Sequence, residues 1–124
     1  MKAENYDQYH RKYGLRYVQK KAAGVVKAYR LLAEDFDIPP VIIHLYKHIP
    51  SGAGLGGGSS DATAVILAIN DLYGLNLDKT TLASLAAELG SDTPFFVYNR
   101  AMLCEGRGEI MSPVDIDLNG LWLV

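Results

Sequence analysis

Five of the chain's twelve glycines fall in the seven positions Gly52 to Gly58, inside the run Pro50-Ser51-Gly52-Ala53-Gly54-Leu55-Gly56-Gly57-Gly58-Ser59-Ser60. Glycine permits positive φ and lets backbone approach a ligand with no Cβ in the way, and a hydroxyl pair at the start of a helix can donate to phosphate oxygens or ligate Mg²⁺. A β-strand, a glycine-dense turn and a helix would place several backbone N–H groups and a positive helix end around one anion, for which phosphate is the natural candidate. The run is not a Walker P-loop, because no Gly-Lys-Ser or Gly-Lys-Thr follows at the required spacing. Gly52, Gly54 and Gly57 satisfy G-x-G-x-x-G, but that match is weak by itself, and no acidic residue follows a second strand at the distance a dinucleotide site needs. A glycine turn without a ligand is the bland alternative, and it leaves the two serines unexplained.

Few other side chains invite chemistry. Asp92, in Gly90-Ser91-Asp92-Thr93-Pro94, could serve as a general base or simply as a cap or turn former, and the two roles are compatible. Lys47 reads as a solvated strand lysine, and His44 and His48 as surface or hydrogen-bonded histidines on the opposite strand face. Cys104 is the single cysteine, so no internal disulfide forms, and it is expected to pack in a strand as a small apolar residue. Arg107 is a turn arginine.

The elements that must hold these residues follow from spacing. Val25, Val26, Tyr29, Leu32, Ala33 and Phe36 predict an amphipathic helix over Ala22 to Phe36, ended by Pro39 and Pro40. Val41 to Ile49 reads as a strand, with Ile43, Leu45, Lys47 and Ile49 on one face. A helix from Ser59 to Leu72 follows, with Ser59 or Ser60 as its N-cap, Asp61 in its first turn and Gly74 closing it. Lys79 to Leu89 forms another, capped by Asp78 and ended by Gly90. Phe95 to Tyr98, Ala101 to Glu105 and Glu109 to Pro113 are expected as strand-like segments around an Arg107-Gly108 turn, and Leu121 to Val124 as a strand broken off in mid-pattern, which favours truncation.

Length and composition bound the rest. A chain of 124 residues, 49% hydrophobic and 21% charged, has the makings of one core and room for one domain or part of one. Its net charge of −2 excludes the broad basic face of a nucleic-acid binder, so an anion must be held locally. No Cys and His cluster has zinc spacing, no apolar run approaches a membrane span, and Met1 to Arg16 lacks the apolar stretch of a signal peptide. A cytoplasmic protein without nucleic-acid or membrane partners is expected.

PSGAGLGGGSSDA at Pro50 to Ala62 resembles the phosphate-binding motif of the GHMP kinase superfamily. LGSDTPFF at Leu89 to Phe96, EGRGEI at Glu105 to Ile110, KAYRLLAEDF at Lys27 to Phe36 and YKHIP at Tyr46 to Pro50 extend the likeness from about Val26 to Val124. They point to the branch whose acceptor is 4-diphosphocytidyl-2-C-methyl-D-erythritol, in non-mevalonate isoprenoid biosynthesis. The resemblance implies an α+β fold with helices on a mixed β-sheet, and ATP-dependent phosphorylation of that acceptor's 2-hydroxyl with Mg²⁺. It also implies an ATP site at Pro50, Ser51, Gly52, Ala53, Gly54, Leu55, Gly56, Gly57, Gly58, Ser59 and Ser60, with Lys47 at the adenine pocket. Asp92 matches the superfamily's catalytic aspartate, with no metal ligand assigned among the side chains.

Three departures qualify the likeness. The superfamily's opening strand, with a lysine in a P-x-K-I-N-like segment, has no counterpart in these 124 residues, and neither does its second domain with another glycine-rich motif. Residues 1–124 are therefore expected to be an incomplete N-terminal domain. Ala23-Gly24-Val25 stands where Asn-Leu-Val is usual, so no Asn side chain serves the base, and Gly24 weakens the helix start by up to about 1 kcal/mol relative to Ala. Missing strands should leave an exposed sheet edge that promotes self-association. The alternative to a kinase is a non-catalytic nucleotide-binding or partner-dependent fragment.

Overall fold

The computed structural model describes residues 16–50 and 52–122. Among these residues, four helices and one hairpin follow in chain order: α1 (Arg16–Asp35), α2 (Gly57–Leu72), α3 (Lys79–Leu89), α4 (Pro94–Tyr98), β1 (Met102–Glu105) and β2 (Ile110–Pro113). The fold class is α+β, but the sheet formed by the described residues is a two-stranded antiparallel hairpin rather than a mixed sheet, with Leu103 opposite Ser112 and Cys104 opposite Met111. The helices consequently bury their apolar faces on one another. Ala28 and Leu32 of α1, Ala62, Ile66 and Ile69 of α2, Leu82, Ala83 and Ala86 of α3 and Val97 of α4 meet Ile38 in one core.

The helical stripes are where periodicity puts them, with one difference in extent. α1 begins at Arg16 rather than Ala22, so Gly24 lies inside the helix and not at its start. There it faces α2: a Cβ built on Gly24 would stand 3.5 Å from the Gly58 carbonyl oxygen and 3.6 Å from Ala62 Cβ. The small residue brings α1 close to the first turn of the helix that follows the glycine run.

At the other ends the caps follow the sequence. Asp78 accepts the Thr81 N–H at 2.8 Å, Gly90 ends α3, and Gly74, at φ +59°, follows the C-cap of α2.

Three expected strands are corrected. Val41 to Ile49 forms no strand with any of the described residues, and Ile42 is left 82% exposed. Phe95 to Tyr98 is helical: Pro94 at the first helical position needs no N–H there and presets φ, and Val97 turns into the core. Aromatic and β-branched composition favours a strand, but burial against α2 and α3 outweighs it. Leu121 and Trp122 lie in no strand, while Leu123 and Val124 fall outside the described residues. The segments on either side of Arg107-Gly108 do pair, as β1 and β2, yet Cys104 is exposed rather than packed, since none of the described residues covers that face of the two-stranded ribbon.

Candidate phosphate-binding site

α2 starts at Gly57, two residues before the serines, and its N-cap is Gly56 at φ +64°. Neither Ser59 nor Ser60 caps the helix. They occupy its first turn, where the Ser60 N–H reaches the Gly56 carbonyl at 2.9 Å, and Asp61 sits one residue further in. Ahead of the helix, Gly52, Gly54 and Gly56 have positive φ while Ala53 and Leu55 between them do not. Such alternation of backbone hand gathers successive N–H groups on one concave side, the arrangement that binds anions, and the α2 N-terminus adds its positive end.

Gly56 is fixed for a second reason: a Cβ there would come within 2.9 Å of Phe96 Cζ. The α4 ring therefore packs against the loop at the point where the chain turns into α2.

The loop borders a cleft of about 850 Å³ whose lining also includes Lys47, Pro50, Ser59, Ser60 and Phe96. That volume is the size of a nucleotide-type ligand site. The loop residues expected to bind phosphate thus gather around one cavity, apart from Ser51, which lies outside the described residues. Lys47 reaches the same place from the segment before the loop: its ammonium pairs with the Asp61 carboxylate and stands 3.5 Å from where a Gly57 Cβ would be. Both side chains are about a quarter exposed or less, so the pair holds a cation beside the helix start more than it stabilises the fold.

Asp92 comes to the loop from the turn before α4. Ser59 Oγ lies 3.1 Å from each of its carboxylate oxygens and donates to them. Three further contacts place this turn. Thr63 Oγ1 donates to the Thr93 carbonyl at 3.2 Å, Ser91 Oγ donates to the Arg107 carbonyl at 2.9 Å, and a Cβ on Gly108 would sit 3.4 Å from Asp92 Cβ. Asp92 thus does form a turn, and it also presents its carboxylate to the loop.

Asp61, Thr63 and Phe96 were not foreseen as site residues. The opposite charges of Lys47 and Asp61 flanking the glycine run were a usable signal; the other two depend on packing that no local pattern encodes. His48 lines the cleft edge, its ring 4.7 Å from that of Tyr46, whereas His44 does not. Among the described residues, no group of three or more His, Cys, Asp or Glu could hold a metal ion, and no helix is long and apolar enough to cross a membrane.

Comparisons with known proteins agree with this geometry. The model of the GHMP kinases N terminal domain matches residues 23–100. A 4-diphosphocytidyl-2-C-methyl-D-erythritol kinase from Bacteroides fragilis is 53% identical over 100 residues, 81% of this chain and 36% of the relative. The enzyme of that name from Prochlorococcus marinus is 48% identical over 95 residues, 76% of this chain and 30% of the relative. A crystal structure of 4-(cytidine 5'-diphospho)-2C-methyl-D-erythritol kinase superposes with a TM-score of 0.68 at 40% identity, covering 86% of this chain and 37% of that one. The chain spans about a third of the length of these proteins. With the match covering most of the chain and the glycine loop at its centre, this protein belongs to the GHMP kinases, through their N-terminal domain.

Proposed function

We propose that this chain is the N-terminal-domain portion of an ATP-dependent kinase that phosphorylates the 2-hydroxyl of 4-diphosphocytidyl-2-C-methyl-D-erythritol, in cytoplasmic non-mevalonate isoprenoid biosynthesis. The observation that carries the proposal is the Ser59 to Asp92 hydrogen bond, which sets a carboxylate beside a glycine loop built for phosphate. The loop from Pro50 to Ser60 holds the nucleotide phosphates through backbone N–H groups. Lys47 lines the same cleft, and the family resemblance gives it a part in the adenine pocket. Asp92 accepts the proton of the acceptor hydroxyl and aligns its oxygen with the γ-phosphorus. General-base help of this kind is worth about 10²- to 10⁴-fold.

Mg²⁺ fits the residues present. Mg²⁺ ordinarily takes one or two protein oxygens together with waters and substrate phosphates, and the Ser59 hydroxyl in the first turn of α2 is the hard oxygen that would be supplied from this chain, leaving the Asp92 carboxylate as the base. When bound, the ion neutralises charge on the transferring phosphoryl group. The lysine-bearing strand and the second domain belong, on this proposal, to polypeptide beyond these residues.

Ile42, Tyr46 and Ile49, exposed on the segment from Val41 to Ile49, offer apolar surface to another chain, so the isolated chain self-associates. Light scattering at high concentration should detect species larger than a monomer; a monodisperse monomer contradicts this part.

Titrating ATP onto the chain by calorimetry tests the loop assignment. None of the described residues outside its own helix lies within 4 Å of a Cβ on Gly58, so a side chain has room there, yet Gly58→Val puts a β-branched group where backbone must meet phosphate. Binding by the parent chain and none by the folded variant is expected. Equal affinities would remove the loop from the proposal.

A further inference from the structure

We propose that Thr63 is a positioning residue for Asp92: its buried hydroxyl ties α2 to the catalytic turn and holds the carboxylate beside the phosphate loop. This rests on the kinase proposal above and adds a residue whose role lies outside the glycine motif and the aspartate itself.

Thr63 is 1% exposed and sits among Ala62, Ile66 and the rest of the apolar core, where a valine would fill the same volume without a polar atom to satisfy. Its Oγ1 donates to the carbonyl of Thr93, the residue next to Asp92, and Thr93 is itself 1% exposed. Ser59 and Thr63 are one helical turn apart and share a face of α2. Both hydroxyls reach the same short turn, Ser59 at the carboxylate and Thr63 at the backbone. Two bonds from one rigid helix fix the turn's distance and its orientation, where one bond would leave a pivot.

The far side of the turn is closed by Gly108 against Asp92 and by Ser91 on the Arg107 carbonyl. The Thr93 carbonyl also accepts the Phe96 N–H of α4, at 3.1 Å. Removing the Thr63 hydroxyl therefore orphans no buried carbonyl, and its loss should show in placement more than in folding.

Thr63→Val and Thr63→Ser separate the roles, with turnover read in the full-length kinase carrying this segment and the Asp92 carboxyl ¹³C resonance read in the chain itself. Thr63→Val should move that resonance and lower kcat by about 10- to 100-fold, the scale of an ångström-sized misplacement, with KM for ATP within about 2-fold. Thr63→Ser, which keeps the hydroxyl, should restore kcat to within about 3-fold even if its melting temperature falls.

The proposal is overturned if Thr63→Val melts lower but keeps its kcat and an unmoved Asp92 resonance, or if folded Thr63→Ser is as slow as the valine variant. Should Thr63→Val not fold, Thr63→Ser decides alone, near-parental kcat supporting the tether and a large loss contradicting it. Failure of the parent enzyme to transfer phosphoryl at all would end the kinase proposal, while the Asp92 resonance in Thr63→Val would still decide whether the tether exists.

Discussion

Ser59 Oγ is equidistant, at 3.1 Å, from the two carboxylate oxygens of Asp92, although thirty-three positions separate the residues in the chain. One partner stands in the first turn of the helix that follows the glycine loop, the other in the turn between α3 and α4. Their meeting brings two separate sequence motifs together, and on the kinase function proposed above it sets the base within reach of phosphate held at the α2 N-terminus.

Gly56 marks where the loop tolerates least. At φ +64° any L side chain is strained by about 1–2 kcal/mol, and a Cβ would meet the Phe96 ring at 2.9 Å. Gly56→Ala should lower thermal stability by at least that amount and weaken nucleotide binding as well, whereas Gly58→Val should affect binding alone. Paired melts and ATP titrations of the two variants check the contrast.

Gly24 carries the opposite expectation. Its φ is ordinary for a helix, and the contacts a Cβ would make, at 3.5 and 3.6 Å, are normal van der Waals distances. Gly24→Ala should therefore gain helix propensity without pushing α1 off α2, raising stability by up to about 1 kcal/mol. A fall in the denaturant midpoint would mean that the α1 to α2 approach is tighter than these distances.

Asp78 gives the fold a pH dependence of known sign. Hydrogen bonds from the Thr81 backbone N–H, then from the Thr81 side chain, lower its pKa from the ordinary 3.8. A carboxylate whose folded pKa is depressed contributes stability that is complete above the unfolded value and is lost as pH falls through the lower folded one. Asp78→Asn should accordingly flatten the acid limb of a melting-temperature profile below about pH 4 while leaving the profile near neutrality nearly parallel to that of the parent. An unchanged acid limb would take the cap out of acid unfolding.

The helices were legible because each carries its own evidence: the stripe from Val25 to Leu32, Asp78 at a start, Gly74 and Gly90 at ends. Pairing was less so. Val41 to Ile49 has every local mark of a strand and forms none with the described residues, since a strand is completed by a neighbour and not by its own composition. Pro94 to Tyr98 fails the other way, an aromatic run folded into a helical turn by the core it buries.

Within the site, the described residues of the Pro50 to Ser60 run are legible by type and spacing and Lys47 only through the family resemblance, and all of them line one cleft. What spacing could not supply was the junction between motifs: Asp61 on Lys47, Thr63 on Thr93 and Phe96 against Gly56 are contacts across 14, 30 and 40 positions, visible only once the helices pack.

The most direct test of the account is Asp92→Asn in the full-length kinase carrying this segment, assayed for phosphoryl transfer from ATP to 4-diphosphocytidyl-2-C-methyl-D-erythritol. Asparagine keeps the size and loses the proton-accepting charge, so a base acting in the transition state should be lost without loss of the nucleotide. The expected result is a kcat lowered by about 10²-fold or more, with the ATP dissociation constant within a few-fold and the melting temperature nearly unchanged. Near-parental kcat in the folded variant would contradict the account, leaving Asp92 as a turn residue that Ser59 merely anchors.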